Sequence, residues 1–499
     1  MKNNLILYPF LLVLILSCNK PVNQIPEDFT ATVLPVTDTY HGVEITDHYR
    51  YMEDLQSEKV QEWIRTQAGY TSEVLKNLEH KENFFKRLEE VDKGKPYSIY
   101  GLQRMKNGEV FYIKRKSDEN QGKLYYRDSW SDEERLLLDP EAMSKGKEQH
   151  YSLEFYNASP EGNYVVYGLA QGGSEETVIH VLDMKTGEET GDVIDRIETA
   201  YNIPQWWNED GFFYCRRQLL EPGIPETEIY KNTMAFYHRL GDQLEKDKAI
   251  FGRGLSSSVS MLDVDFPSLR LEDLFDYIIG KIKHGDSGEI TLYTKSRNQI
   301  FNDDVPWKLV CDVPDSVVGY TWFNEYIYLF SARNAPRYKV VRTPLRNPDF
   351  NSAEVVFPPS DLVYRNATRT SDRLYFSALD GGYNRLIEYN PASGTSMQLP
   401  LPDNESSYIF SASHYLQDIY ITSNAWTHAG KDQTYNHSTG TFQELNLEPP
   451  GEFDDPGWLK SERILVKSHD GVEVPLSLIY RKGLKMDGKN PTLLSGYGS

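Results

Sequence analysis

Tyr164-Val165-Val166-Tyr167 and, eleven residues on, Val178-Ile179-His180-Val181 are two runs of β-branched and aromatic residues. They lie between the turn signals Ser159-Pro160-Glu161-Gly162 and Lys185-Thr186-Gly187. Such a pair reads as two adjoining strands. The same pair precedes it once, at Val110-Phe111-Tyr112-Ile113 with Leu124-Tyr125-Tyr126. It follows five times, in runs beginning at Gly211 and Ala235, Tyr277 and Thr291, Tyr326 and Lys339, Leu374 and Leu386, and Ile419 and Gln433. The spacing is about 50 residues throughout, and the units number seven. Four-stranded units repeated at this length are the mark of a β-propeller, in which each blade buries its faces against its neighbours. Stacked β-sandwiches would also need strands and turns, but not one spacing held through seven units. The expected fold class is mainly β, a seven-bladed propeller over residues 93–450.

Outside the repeat the pattern changes. From Gln56 to Leu78, apolar residues such as Val60, Trp63, Ile64, Val74 and Leu78 recur at mostly three- and four-residue intervals, which predicts a helix. A second helical stretch covers about Lys81 to Val91. After Pro449-Pro450-Gly451, strands are expected over Glu462–Lys467 and Val472–Tyr480, joined by Ser468-His469-Asp470-Gly471 with its Asp-Gly turn signal. Thr492-Leu493-Leu494 reads as an apolar strand start.

The first residues are of another kind. Lys2 precedes an apolar stretch from Leu5 to Leu16, short for a membrane span but suited to a signal peptide. Ile15-Leu16-Ser17-Cys18 resembles a bacterial lipobox, which implies that Cys18 carries lipid and anchors an exported protein to the cell envelope. Residues 1–18 are then the leader and 19–30 a tether. The formal net charge of −21 excludes the basic surface a nucleic-acid binder needs. Three cysteines, Cys18, Cys215 and Cys311, have neither disulfide-framework nor metal spacing, and Cys215 in its strand-like run is expected to pack as a small apolar residue. Neither P-loop nor G-x-G-x-x-G occurs, so no nucleotide, flavin or metal cofactor is implied.

Both ends of the chain resemble the prolyl oligopeptidase family of serine peptidases. Tyr40-His41-Gly42, Asp47 and Tyr49-Arg50-Tyr51-Met52-Glu53-Asp54 are similar to its Y-H-G…D-P-Y-R-W-L-E-D segment, with His48 and Tyr51 departing. Asp470-Gly471, Val474-Pro475, Tyr480-Arg481-Lys482-Gly483 and Asn490-Pro491-Thr492-Leu493-Leu494 resemble the opening of its α/β-hydrolase domain. Gly496-Tyr497-Gly498 is similar to its G-Y-G-G-F element, with Ser499 departing. The resemblance implies that residues 31–92 belong with the hydrolase domain and that 451–499 begin it.

It also implies cleavage of short proline-containing peptides after proline, through a Ser-Asp-His triad on a glycine-flanked nucleophile elbow. The sequence holds no such elbow. Gly172-Gly173-Ser174-Glu175-Glu176 lacks the following glycines, and Ser174 reads as a turn residue. His469 and Asp470 read as solvated hairpin-turn residues. By resemblance Tyr497 is the hydroxyl donor of the oxyanion hole, which contributes only where the triad is supplied. The propeller would admit peptides and exclude folded proteins. The other readings are a lipid-anchored propeller without catalysis that binds a peptide or partner protein, and a remnant without function.

Overall fold

Seven antiparallel sheets succeed one another along the chain, each made from consecutive strands. The computed structural model describes residues 30–144, 146, 149–174, 176–198 and 203–496. Cys18, the leader, the tether up to residue 29, and Tyr497 lie outside these residues. Two compact units divide the chain at Glu90 and Val91.

In the first unit, a hairpin joins β1 (Val36–Tyr40) to β2 (Val43–Asp47). Its turn places His41 at φ 51° and Gly42 at φ 82°, left-handed geometry that suits the glycine. Arg50 closes the hairpin's base, pairing with Asp38 at 2.7 Å and Asp47 at 3.0 Å. The backbone N–H of Tyr49 and the Arg50 guanidinium both hold the Asp47 carboxyl below its usual range. The helix α1 (Glu58–Lys76) follows, with Val60 buried and Ile64 and Leu75 exposed, and then α2 (Lys81–Lys93).

The sheets are seven blades. Blade 1 runs from Tyr97 to Leu138, blade 2 from Tyr151 to Asp183, blade 3 from Gln205 to Phe251 and blade 4 from Phe266 to Cys311. Blade 5 runs from Val317 to Phe357, blade 6 from Val363 to Gln398 and blade 7 from Ser406 to Glu444. In blade 2 the outermost strand is reduced to isolated bridges, Ile179 with Ile194 and Leu182 with Glu189.

Alternation along the strands builds the ring. In blade 3, Phe213 and Cys215 turn towards blade 4 and join Leu269, Ile278 and Trp307. Phe212 and Tyr214, one step out of phase, turn the other way and join Val166, Ile179 and Val181 of blade 2. A cluster of buried side chains of this kind occupies each of the seven junctions among the described residues. A strand buried on both faces needs apolar residues at every position, which is why the middle strands stand out in the sequence.

Among the described residues, no strand is exchanged between the last blade and the first. Side chains make that seam instead. Ile99, Leu102 and Tyr112 of blade 1 pack with Phe410 and Tyr420 of blade 7. Arg104, only 6% exposed, donates to the Asp418 carboxylate at 2.7 Å and to its carbonyl at 2.8 Å, with its guanidinium 3.9 Å above the Tyr420 ring. The segments flanking the ring meet beside the seam, where the Glu452 N–H donates to the Gly94 carbonyl at 2.8 Å.

Beyond the ring, strands Leu459–Lys467 and Glu473–Arg481 form a hairpin. Arg463 ties it to blade 6 by donating to the carbonyl oxygens of Asp380 and Gly381 at 2.7 and 3.2 Å. Leu465, Val466, Val474 and Ile479 of the hairpin are exposed. Thr492-Leu493-Leu494 is not a strand in the structure: its backbone has no strand beside it, and Leu493 is 93% exposed.

Candidate functional site: the axial channel

The first strands of the blades gather around one axis. Six of the seven carry a bulge or register shift against their second strand, blade 4 being the regular one. A bulge bends and twists the strand locally and re-aims its side chains, as a strand lining a narrow ring requires. A cavity of about 680 Å³ lies on this axis. Gln205 of blade 3, Arg270 and Glu272 of blade 4, Tyr320 and Trp322 of blade 5, and Arg365 of blade 6 all contribute to its wall. Residues from four blades can share one cavity only at the centre of the ring.

At the ends of these first strands the channel is crossed by a polar network. Arg369, the last residue of its strand, pairs with Glu272 and lies 3.9 Å above the Trp322 ring. His414 bridges blade 7 to blade 4, with Nδ1 2.8 Å from Glu272 and Nε2 3.0 Å from Asp273. The Tyr415 hydroxyl donates to Asp273 at 2.8 Å. Burial, together with the Arg369 charge, holds His414 below its ordinary pKa despite the Asp273 bond. Burial works against the Asp273 charge, but the bonds from His414 and Tyr415 prevail and its carboxyl stays below the usual range. Four blades are thus tied together at this mouth. In an antiparallel blade, the start of strand one, the turn between strands two and three, and the end of strand four share a face. The Glu452–Gly94 contact and Arg463 on Asp380 therefore lie on the face opposite the network.

The wall between blades 4 and 6 is rich in cations. Lys281 and Lys283 alternate on the second strand of blade 4 and so share a face, with Arg270 on the adjoining strand and Arg365 across the channel. Burial first, then the neighbouring Arg270 charge, pushes the Lys281 pKa down to about 8.

One arrangement imitates a catalytic triad. His284 Nδ1 is 2.9 Å from Asp265 and Nε2 is 2.9 Å from the Thr291 hydroxyl. Thr291, however, is 2% exposed and donates its own proton to Asp312 at 2.7 Å. It cannot also attack a substrate, so the set is a structural brace.

The residues singled out in the sequence fall as follows. Ser174 is exposed in the turn after the second strand of blade 2, its N–H donating to the Gln171 carbonyl at 3.0 Å. His469 and Asp470 are exposed in the hairpin turn, where Asp470 accepts from the Val472 N–H at 3.1 Å. Cys215 and Cys311 are buried, and burial raises the Cys311 thiol pKa. Tyr497 and Cys18 have no described position. The channel cations and the mouth network were missed from sequence. They lie in different blades, so no local spacing links them; only their shared place in successive repeats could have.

The family model for the prolyl oligopeptidase N-terminal beta-propeller domain matches residues 30–428. The chain belongs to the prolyl oligopeptidase family. It is 23% identical over 466 residues to the prolyl endopeptidase of Elizabethkingia meningoseptica, covering 93% of this chain and 63% of that relative. It is 22% identical over 514 residues to prolyl oligopeptidase A of Amanita bisporigera, covering 92% and 63%. A solved prolyl endopeptidase shares the fold at a TM-score of 0.78 with 24% identity, over 91% of this chain and 64% of that one. Prolyl oligopeptidase B of Galerina marginata, solved with a 25mer macrocyclization substrate, gives 0.76 with 16% identity, over 92% and 66%. The chain therefore spans a little under two thirds of these curated relatives.

Proposed function

We propose that the chain is the propeller-bearing portion of a serine endopeptidase that cleaves proline-containing peptides after proline, with the ring acting as a size filter. The observation that carries this reading is a ring closed at all seven junctions, with an axial channel, in a chain that matches the oligopeptidase propeller model from residue 30 to 428. Such a channel excludes a folded protein while admitting an extended chain. The 25mer substrate of the Galerina relative suggests that the filter acts on foldedness more than on length. In this reading Tyr497 supplies an oxyanion donor worth about 3 kcal/mol in the transition state, and the triad comes from residues outside this chain. Residues 31–92 belong with the hydrolase domain, and the lipidated Cys18 holds the exported protein at the cell envelope. No helix among the described residues is long and apolar enough to cross a membrane.

The test is to read the gene beyond the Ser499 codon and assay its full product on a chromogenic proline peptide. A downstream frame encoding a glycine-flanked serine, an aspartate and a histidine, with cleavage lost in Tyr497→Phe by about a hundredfold, supports the proposal. No such frame and no cleavage would leave the propeller as a peptide-binding module.

A further inference from the structure

The protein as a whole is strongly acidic, with 74 carboxylate residues against 53 lysines and arginines. Its channel wall is the reverse. Arg270, Lys281, Lys283 and Arg365 line the cavity together with one carboxylate, Glu272. That carboxylate is already engaged by Arg369 and His414. Among the described residues, neither Arg270 nor Arg365 makes an ion pair. Four like charges on one concave, partly dehydrated wall repel one another, and this repulsion is relieved when an anion enters. A like-charge group maintained in a cleft is a sign of a binding site.

We propose that this wall is a carboxylate-binding subsite that selects peptides carrying acidic side chains. The proposal rests on the peptide-handling reading above and names its substrate class. Three features favour an extended peptide over a free anion. The cavity volume of about 680 Å³ falls within the range of organic-ligand sites rather than single-ion sites. Tyr320 and Trp322 on the same wall offer aromatic faces for side chains. The first strand of each blade is paired on one side only, so its other edge presents backbone N–H and C=O groups that an extended peptide can meet. Arginine forks and lysine ammonium groups above that edge would then bind the carboxylates of the peptide's side chains.

The experiment uses the whole chain and two fluorescent peptides with the same central proline, one flanked by glutamates and the other by glutamines. Fluorescence anisotropy at low and at about 0.3 M salt reads both affinities. The glutamate peptide is expected to bind about tenfold more tightly at low salt, with most of that advantage lost at high salt. Arg270→Gln with Arg365→Gln should bring the two peptides within about twofold, chiefly by weakening the glutamate peptide. Should that double variant melt early, Lys283→Gln alone should still reduce the advantage about threefold. Equal binding of the two peptides, or an advantage that survives these substitutions, overturns the proposal. So does displacement of the glutamate peptide by inorganic phosphate or acetate at the peptide's own concentration, since the site would then recognise small anions. Equal binding leaves the peptide-handling reading intact, whereas binding of neither peptide defeats both.

Discussion

His238 is held at both ring nitrogens, by Asp247 at 2.8 Å and by Asp192 at 3.0 Å, and is fully buried between blades 2 and 3. Each carboxylate has another donor: the Tyr214 hydroxyl for Asp247 at 2.6 Å, and the Gly241 N–H for Asp192 at 2.7 Å. Whereas at His414 burial and the Arg369 charge prevail over the carboxylates beside it, the His238 ring donates from both nitrogens to these two carboxylates and is an imidazolium. Burial disfavours that charge, but the two carboxylates outweigh it and raise the pKa to about 9. The unfolded ring titrates near 6.5. The stabilisation is therefore complete below about pH 6.5 and is lost as pH rises through about 9. Urea unfolding at pH 6.5 and 9.5 should show the wild type losing on the order of 2 kcal/mol more than His238→Gln. Parallel losses would mean that the ring is neutral in the fold. None of this was legible in the sequence, where His238 is one polar residue among aromatics and its partners lie 9 and 46 residues away without a spacing that marks them.

At the scale of the element, legibility followed burial. The fourteen runs read from sequence coincide with the second and third strands of the seven blades, such as Val110–Lys116 and Lys123–Arg127 in blade 1. Most of those strands are buried on both faces and so are rich in apolar residues, the mostly polar third strand of blade 7, His428–Asn436, being an exception. The first strands, such as Val363–Arg369, mix charged and small residues because one side faces the channel, and their bulges break the alternation. The outer strands, often of four residues as at Arg135–Leu138, are too short for a periodic signal. Thr492-Leu493-Leu494 shows the converse, since strand-forming residues without a neighbour make no strand. Close packing between the legible strands has its own consequence. A Cβ at Gly280 would come within 2.7 Å of the Phe251 ring, which lies across the blade 3–4 junction. Gly280→Val should therefore force the two blades apart and cost about 2–3 kcal/mol, read as a lower urea midpoint with an unchanged slope. A midpoint like the wild type's would show that the junction yields freely.

At the scale of the molecule, the seam between blades 7 and 1 closes the ring without a shared strand. Its strength rests on the Ile99–Phe410 side of the junction and on Arg104. Arg104→Ala removes a buried guanidinium from beneath Asp418 and Tyr420 and should cost about 3 kcal/mol. Hydrogen exchange should then quicken first in the first and second strands of blades 1 and 7, which make the seam; uniform quickening around the ring would assign closure elsewhere. The exposed apolar residues of the terminal hairpin, Leu465 and Ile479 among them, are the surface on which a further layer could pack. Whether this ring filters peptides for cleavage after proline is decided by one competition. The product of the complete reading frame is offered a proline-containing peptide and the same segment within a folded protein, and cleavage is followed by mass spectrometry. Cleavage is expected on the carboxyl side of proline in the free peptide, with none in the folded protein. Equal cleavage of the two, or cleavage away from proline, would contradict that expectation.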